Sequence, residues 1–154
     1  MNKLDITSFK TKNPLSLGTI RKEFVDFFNS HGFEGLLRYD TEVMFWEDRI
    51  EHTERHRSDF SSDVMFEVCF EEIPQIISHP DYIAYKDIKS ISFIKNFNAN
   101  HTNVAIRVSV SGNLAFRTMY PLMDATLNHY IDKSHAWKVT YDENDSPIIK
   151  EDID

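Results

Sequence analysis

A single cysteine, Cys69, stands among the 154 residues, so neither a disulfide framework nor a cysteine-rich zinc motif can be built from this chain. Glycine is scarce as well, with four in all, and no glycine-rich loop of the kind that cradles nucleotide phosphates is present. No apolar run approaches the ~18 residues that a membrane-spanning helix requires, and MNKLDITSFKTKNP at the start lacks the apolar centre of a signal peptide. Repeats and low-complexity tracts are missing too. The expectation is a soluble, cytoplasmic protein that uses no cofactor and does not engage a membrane.

What the chain does have is hydrophobic content for one core: 41% of residues are hydrophobic and 13% aromatic. That supports one compact domain rather than two. The net charge of -8 is unevenly spread. Residues 39–84 hold three basic against twelve acidic groups, residues 85–140 seven against three, and residues 141–154 one against six. Distribution matters more than the total for an anionic partner, and the basic block is the one rich in strand pattern.

Helical periodicity runs from Ser16 to Gly32, with Ile20, Phe24, Phe27 and Phe28 on one stripe. Glu42 to Trp46 reads as a short strand, and Asp48 begins a helix that sets His52 and His56 on one face. A helix over Phe66 to Ile77 is interrupted by Pro74. After the turn at His79-Pro80-Asp81 come strand patterns at Tyr82–Tyr85, Ser90–Phe97 and Ala136–Tyr141, with a helix over Asp124–Lys133. Helices first and an antiparallel sheet afterwards define an α+β fold.

Within AIRVSVSGNLAFRTMYP (105–121), apolar residues alternate in two runs around a Gly-Asn turn. A three-residue loop, Ser111-Gly112-Asn113, would set Val110 opposite Leu114 and Val108 opposite Phe116. Arg107 and Arg117 would then face each other on the open surface. Like charges directly across a strand pair are unfavourable, which points to an anion or a carboxylate between them. A phosphate is the first hypothesis; ion pairing with Glu71 or Glu72 is the competing one.

The order DRIEHTERH (48–56), FEEIPQIISHPDYI (70–83), ISFIK (91–95), VAIRV (104–108) and LAFRTMYP (114–121) resembles the phage-encoded branch of the barnase, EndoU, colicin and RelE-like nucleases. The resemblance spans about Glu42 to Val139. It implies helices packed on one face of an antiparallel sheet of about four strands, with a metal-independent ribonuclease site on the other face. It implies site residues at His52 and at the Arg117-Thr118 pair, an RNA substrate, and an immunity or antitoxin protein as partner. Residues 1–41 then form an N-terminal extension with an amphipathic helix, 42–141 the nuclease-like domain, and 142–154 a mobile acidic tail.

Cutting RNA without a metal requires a base for the 2′-hydroxyl, an acid for the leaving 5′-oxygen, and fixed positive charge on the phosphate. His52 suits the first two tasks, and Arg107 and Arg117 the third. Ser109, on the same expected face as the arginines, and Thr118 would donate hydrogen bonds, although strict alternation turns Thr118 inward unless a bulge re-aims it. His56 is either a second site histidine or a surface residue paired with Asp48 or Asp59. His31, His101, His129 and His135 read as surface or capping residues, and Tyr120, Tyr130 and Trp137 as core. Two alternatives stand beside this reading. A catalytically inactive protein-binding module of the same fold fits the acidic block. A metal-dependent hydrolase using His52 and His56 would need a third ligand, sought in His79 or Glu72, and its glutamate is displaced by one position from the HExxH pattern.

Overall fold

A computed structural model describes residues 3–97 and 100–151. Its centre is the antiparallel trio β4 (Ser90–Phe97), β5 (Asn100–Val108) and β6 (Leu114–Leu122). Alternation places Ile91, Phe93, Val104, Ile106, Phe116 and Met119 on one face, each almost wholly buried. Burying each such side chain stabilises the fold by roughly 1.5–3 kcal/mol. Against that face lie α1 (Lys22–Phe28), α3 (Asp63–Glu71) and α4 (Ile73–Ser78). Phe24 and Phe28 of α1 meet Phe93 edge-on at 6.0 and 6.3 Å, as the aromatic stripe of the sequence requires. Pro74 sits in the first turn of α4, where its missing N–H is harmless, so the helical stretch breaks at Glu72 instead of kinking. Ser62 caps α3 by accepting from the Met65 amide at 3.0 Å.

Among the described residues the sheet has eight strands rather than the expected four or so, in the order β1-β2-β6-β5-β4-β3-β7-β8. β2 (Glu42–Phe45) runs parallel to β6, and the Phe45 ring stacks on Phe116 at 4.4 Å. β1 (Leu15–Thr19) pairs with β2, so the first four residues of the segment read as one helix belong to a strand. β3 (Tyr82–Ala84) bridges β4 and β7 (Ala136–Tyr141), and β8 (Pro147–Lys150) completes the edge. The stretch expected as a mobile acidic tail is therefore part of the sheet as far as Lys150. His79 on Asp145 (2.6 Å) and His31 on Glu151 (2.7 Å) tie that edge to the helical layer. Residues 15–28 likewise supply a strand and a helix to the shared core and do not stand apart from it.

Helices are not confined to one face. α5 (Asp124–Asp132) packs Leu127 on Ile94, Leu122, Ala84 and Ala136 of the opposite face, and α2 (Asp48–Glu54) lies beside β6. Between α2 and α5 the middle of this second face stays uncovered. Among the described residues no helix is long and apolar enough to cross a membrane.

Candidate active site

The β5–β6 hairpin decides the geometry of the uncovered face. Val108 pairs with Leu114 and Arg107 with Ala115, so the register is two residues from the expected one. The loop is correspondingly longer, Ser109 to Asn113, and Val110 at its tip is 99% exposed although it continues the apolar alternation. Ser109 is used up inside this loop: its Oγ accepts from the Asn113 amide at 3.0 Å and contacts Ser111 Oγ at 3.0 Å. Gly112 holds the turn with φ +88°, and a Cβ there would lie 2.8 Å from the Leu36 carbonyl oxygen. A shift by two preserves parity, so the apolar set still faces the core.

Further along, the pairing slips by one residue between Ala105 and Ile106, since Ile106 faces Phe116 but Ala105 faces Thr118. Arg117 is the extra residue of this bulge. Two consequences follow. Arg107, opposite Ala115, is a diagonal neighbour of Arg117, which spares the two guanidiniums a direct face-to-face position. Thr118 is turned to the same open face as Arg117, the re-aiming that alternation alone forbids. The bulge also deprives the Arg117 carbonyl of a regular ladder partner, and Arg49 of α2 replaces it, its Nε donating at 2.9 Å.

Two depressions adjoin across this face. One, of about 650 Å³, is lined by Trp46, Arg49, Arg107 and Ala115; the other, of about 520 Å³, by Ser92, Asn103, Thr118, Tyr120 and Tyr130. His52, Lys89 and Arg117 belong to both. His52, Arg107, Arg117 and Thr118 thus share one groove, whereas Ser109 lines neither compartment. Arg107 and Arg117 make no ion pair among the described residues, so the carboxylate partners considered from the sequence, Glu71 and Glu72, do not hold them. By contrast, the neighbouring Arg57 is saturated by Glu54 and Glu67.

Burial pushes the His52 imidazole below its ordinary pKa, and the positive charges of Arg49, Arg55 and Arg117, with His56 beside them, push it the same way. His56 is held by Asp59 (3.1 Å) and lies 5.6 Å from the Tyr120 ring. Among the described residues, no three His, Cys, Asp or Glu side chains converge as a metal site, so His52 and His56 lack a third protein ligand in His79 or Glu72. His79 is engaged at the β8 edge instead.

Several lining groups escaped the sequence reading. Lys89 and Arg49 come from a loop and a helix that no local pattern links to the hairpin. Tyr120 and Tyr130 pack against the small apolar cluster beneath α5 and also line the open groove, whereas Trp137 packs on Phe27 and Tyr85. His135, read from the sequence as a surface or capping residue, lines the second compartment together with His52. The polar run Asn100-His101-Thr102-Asn103 in a central strand was the available signal for Asn103, since buried polar side chains in such a strand call for partners.

Two groups on the groove floor have none. Thr118 Oγ1 and Asn103 Oδ1 are buried without a hydrogen-bond partner among the described residues. Comparison with curated proteins and with solved structures returned no match. A family model does match residues 32–129, beginning and ending about ten residues before the span read from the motifs. On that match the chain belongs to the phage-Barnase-EndoU-ColicinE5/D-RelE like nuclease3 family.

Proposed function

We propose that this protein is an endoribonuclease that cleaves RNA by attack of the 2′-hydroxyl on the adjacent phosphate, without requiring a metal ion. The observation that carries the reading is the convergence of His52 with Arg107 and Arg117, neither of them ion-paired among the described residues, in one groove. His52 takes the 2′-hydroxyl proton. The two guanidiniums bind the phosphate oxygens as charge builds on the five-coordinate phosphorus, and Lys89 adds a third positive charge. The bond from phosphorus to the 5′-oxygen then breaks. The departing oxygen takes a proton from the Lys89 ammonium; His52 then gives its proton to water and Lys89 regains one from water, so both groups end as they began. Products are a 2′,3′-cyclic phosphate and a 5′-hydroxyl. His52 does not also act as the acid, because in-line displacement sets the entering and leaving oxygens on opposite sides of phosphorus.

Incubation of the purified chain with mixed-sequence RNA in excess EDTA tests this directly. Fragments carrying cyclic phosphate are expected, with losses of about 10²–10³-fold in His52→Ala and Arg117→Ala. Intact RNA, or equal cutting by the variants, would overturn the reading. In cells, induced wild type should arrest growth and the double variant should not; equal tolerance would favour a binding role.

A further inference from the structure

The RNA-cleavage reading assigns the phosphate to the junction of the two depressions but leaves the compartments themselves without occupants. They differ in character. The one beyond Thr118, about 520 Å³, is large enough for a nucleoside and carries two tyrosine rings, Tyr120 and Tyr130, beside the polar side chains of Ser92, Asn103 and Thr118. Asn103 lies, 3% exposed, in the middle of β5. Among the described residues its Oδ1 has no partner, nor has the neighbouring Thr118 Oγ1, while a side-chain hydrogen bond joins the Asn103 amide to Tyr120. A buried amide with a bare carbonyl in a central strand is unfavourable for the empty protein, and a planar ligand carrying an N–H beside an acceptor would satisfy it. Every nucleobase edge has that pattern. The other compartment offers Trp46, 48% exposed, beside Arg49 and Arg107. Aromatic surface next to guanidinium groups stacks bases of any identity.

We propose that the compartment lined by Asn103, Tyr120 and Tyr130 is a nucleobase subsite adjoining the scissile phosphate, read by Asn103, and that Trp46 stacks the base on the other side of the phosphate without reading it. This rests on the RNA-cleavage reading for what the groove binds, and adds base selectivity on one side only. Asn103 thereby becomes the specificity-determining residue. Its carbonyl oxygen is the open acceptor while the amide also bonds Tyr120, so replacing the amide with a carboxylate should change the preferred base and not only weaken binding.

The test uses the full chain and four tetranucleotides with every 2′-oxygen methylated, which cannot be cut, differing only in the base at one position flanking the central phosphate. Each flank is varied in turn. Affinities are measured by calorimetry, and cleavage sites of wild type on a random RNA pool are sequenced in parallel. Wild type should discriminate among bases by about tenfold at one flank and by less than about twofold at the other. Asn103→Ala should flatten the preference, Asn103→Asp should reorder it, and Trp46→Ala should weaken all four ligands about tenfold with the order kept. Melting curves of each variant show whether it is folded, and the wild-type preference stands independently of them. Equal affinity for all bases at both flanks, or an unchanged order in folded Asn103→Ala and Asn103→Asp, overturns the subsite. If RNA is still cut in that case, the nuclease reading survives it. Selective binding without cleavage would leave the subsite standing and remove the nuclease reading, and absence of both binding and cleavage would remove both.

Discussion

Replacing Thr118 with valine exchanges a hydroxyl for a methyl group of nearly the same shape at a position 8% exposed, where the Oγ1 has no partner among the described residues. An unsatisfied buried polar group costs about 1–3 kcal/mol, so removing it should make the protein more stable. Allowing for imperfect fit of the new methyl, the expected gain is about 1 kcal/mol, or about 2–4 °C in melting temperature for a chain of this size. Activity should move the other way. A hydroxyl bonded to a charged phosphate contributes about 1.5–3 kcal/mol, so its loss should lower kcat/KM by roughly ten- to a hundredfold. Thr118→Ser provides the contrast: it keeps the hydroxyl and loses a buried methyl, so it should retain activity and cost about 1 kcal/mol of stability. Urea unfolding at constant m, together with initial rates on one RNA, reads both quantities. Should Thr118→Val lose more than about 1 kcal/mol, or cut as fast as wild type, the hydroxyl is not an orphan held for substrate. The opposed signs distinguish a functional group from a structural one.

The His52 shift sets a pH dependence. Its folded pKa lies below the unfolded value near ~6.5, so the neutral base persists below that pH, and kcat/KM should fall on an acid limb with its midpoint under 6.5. By the same sign, the stability that His52 contributes is complete above the unfolded pKa and is lost as pH falls toward the folded one. Arg55→Gln removes one of the charges responsible while sparing the groove, and should move the acid limb upward. Gly112→Ala forces a Cβ against the Leu36 carbonyl at positive φ and should destabilise by about 1–3 kcal/mol in urea unfolding; an unchanged midpoint would refute the hairpin geometry. Deleting residues 147–154 strips β8 from β7 and removes the His31–Glu151 bond, so the melting temperature should drop, whereas a dispensable tail would leave it unchanged.

Where alternation is long and uninterrupted, the chain announces its own structure. Ser90–Phe97 and Ala136–Tyr141 form strands over the very residues whose period is two, and Pro74 marks the helix break. Leu15–Thr19 misleads because it has one buried residue, Leu17, and because Ile20 continues the helical stripe of α1. Its strand character comes from pairing with β2, a contact distant in sequence. Val110 misleads in the opposite sense, since an apolar residue at the right period is placed at a loop tip by Gly112. The candidate site was legible in residue type, with His52, Arg107 and Arg117 meeting in one groove. Its detailed geometry was not, because no residue type encodes the bulge at Arg117. The bulge depends on the Ala105–Thr118 register and on Arg49 reaching its carbonyl from another element. Lys89, Asn103 and Tyr130 join the groove for the same reason, through strand order and not through local pattern.

The most direct measurement is cleavage, in excess EDTA, of an RNA oligonucleotide cut at one site, compared with the same strand carrying a single 2′-deoxy residue immediately 5′ to the scissile phosphate. Attack by the 2′-hydroxyl activated by His52 requires that the ribose strand yield a 2′,3′-cyclic phosphate and a 5′-hydroxyl end, and that the substituted strand stay whole at that bond. Equal cutting of both strands, or products ending in a 5′-phosphate, would contradict it.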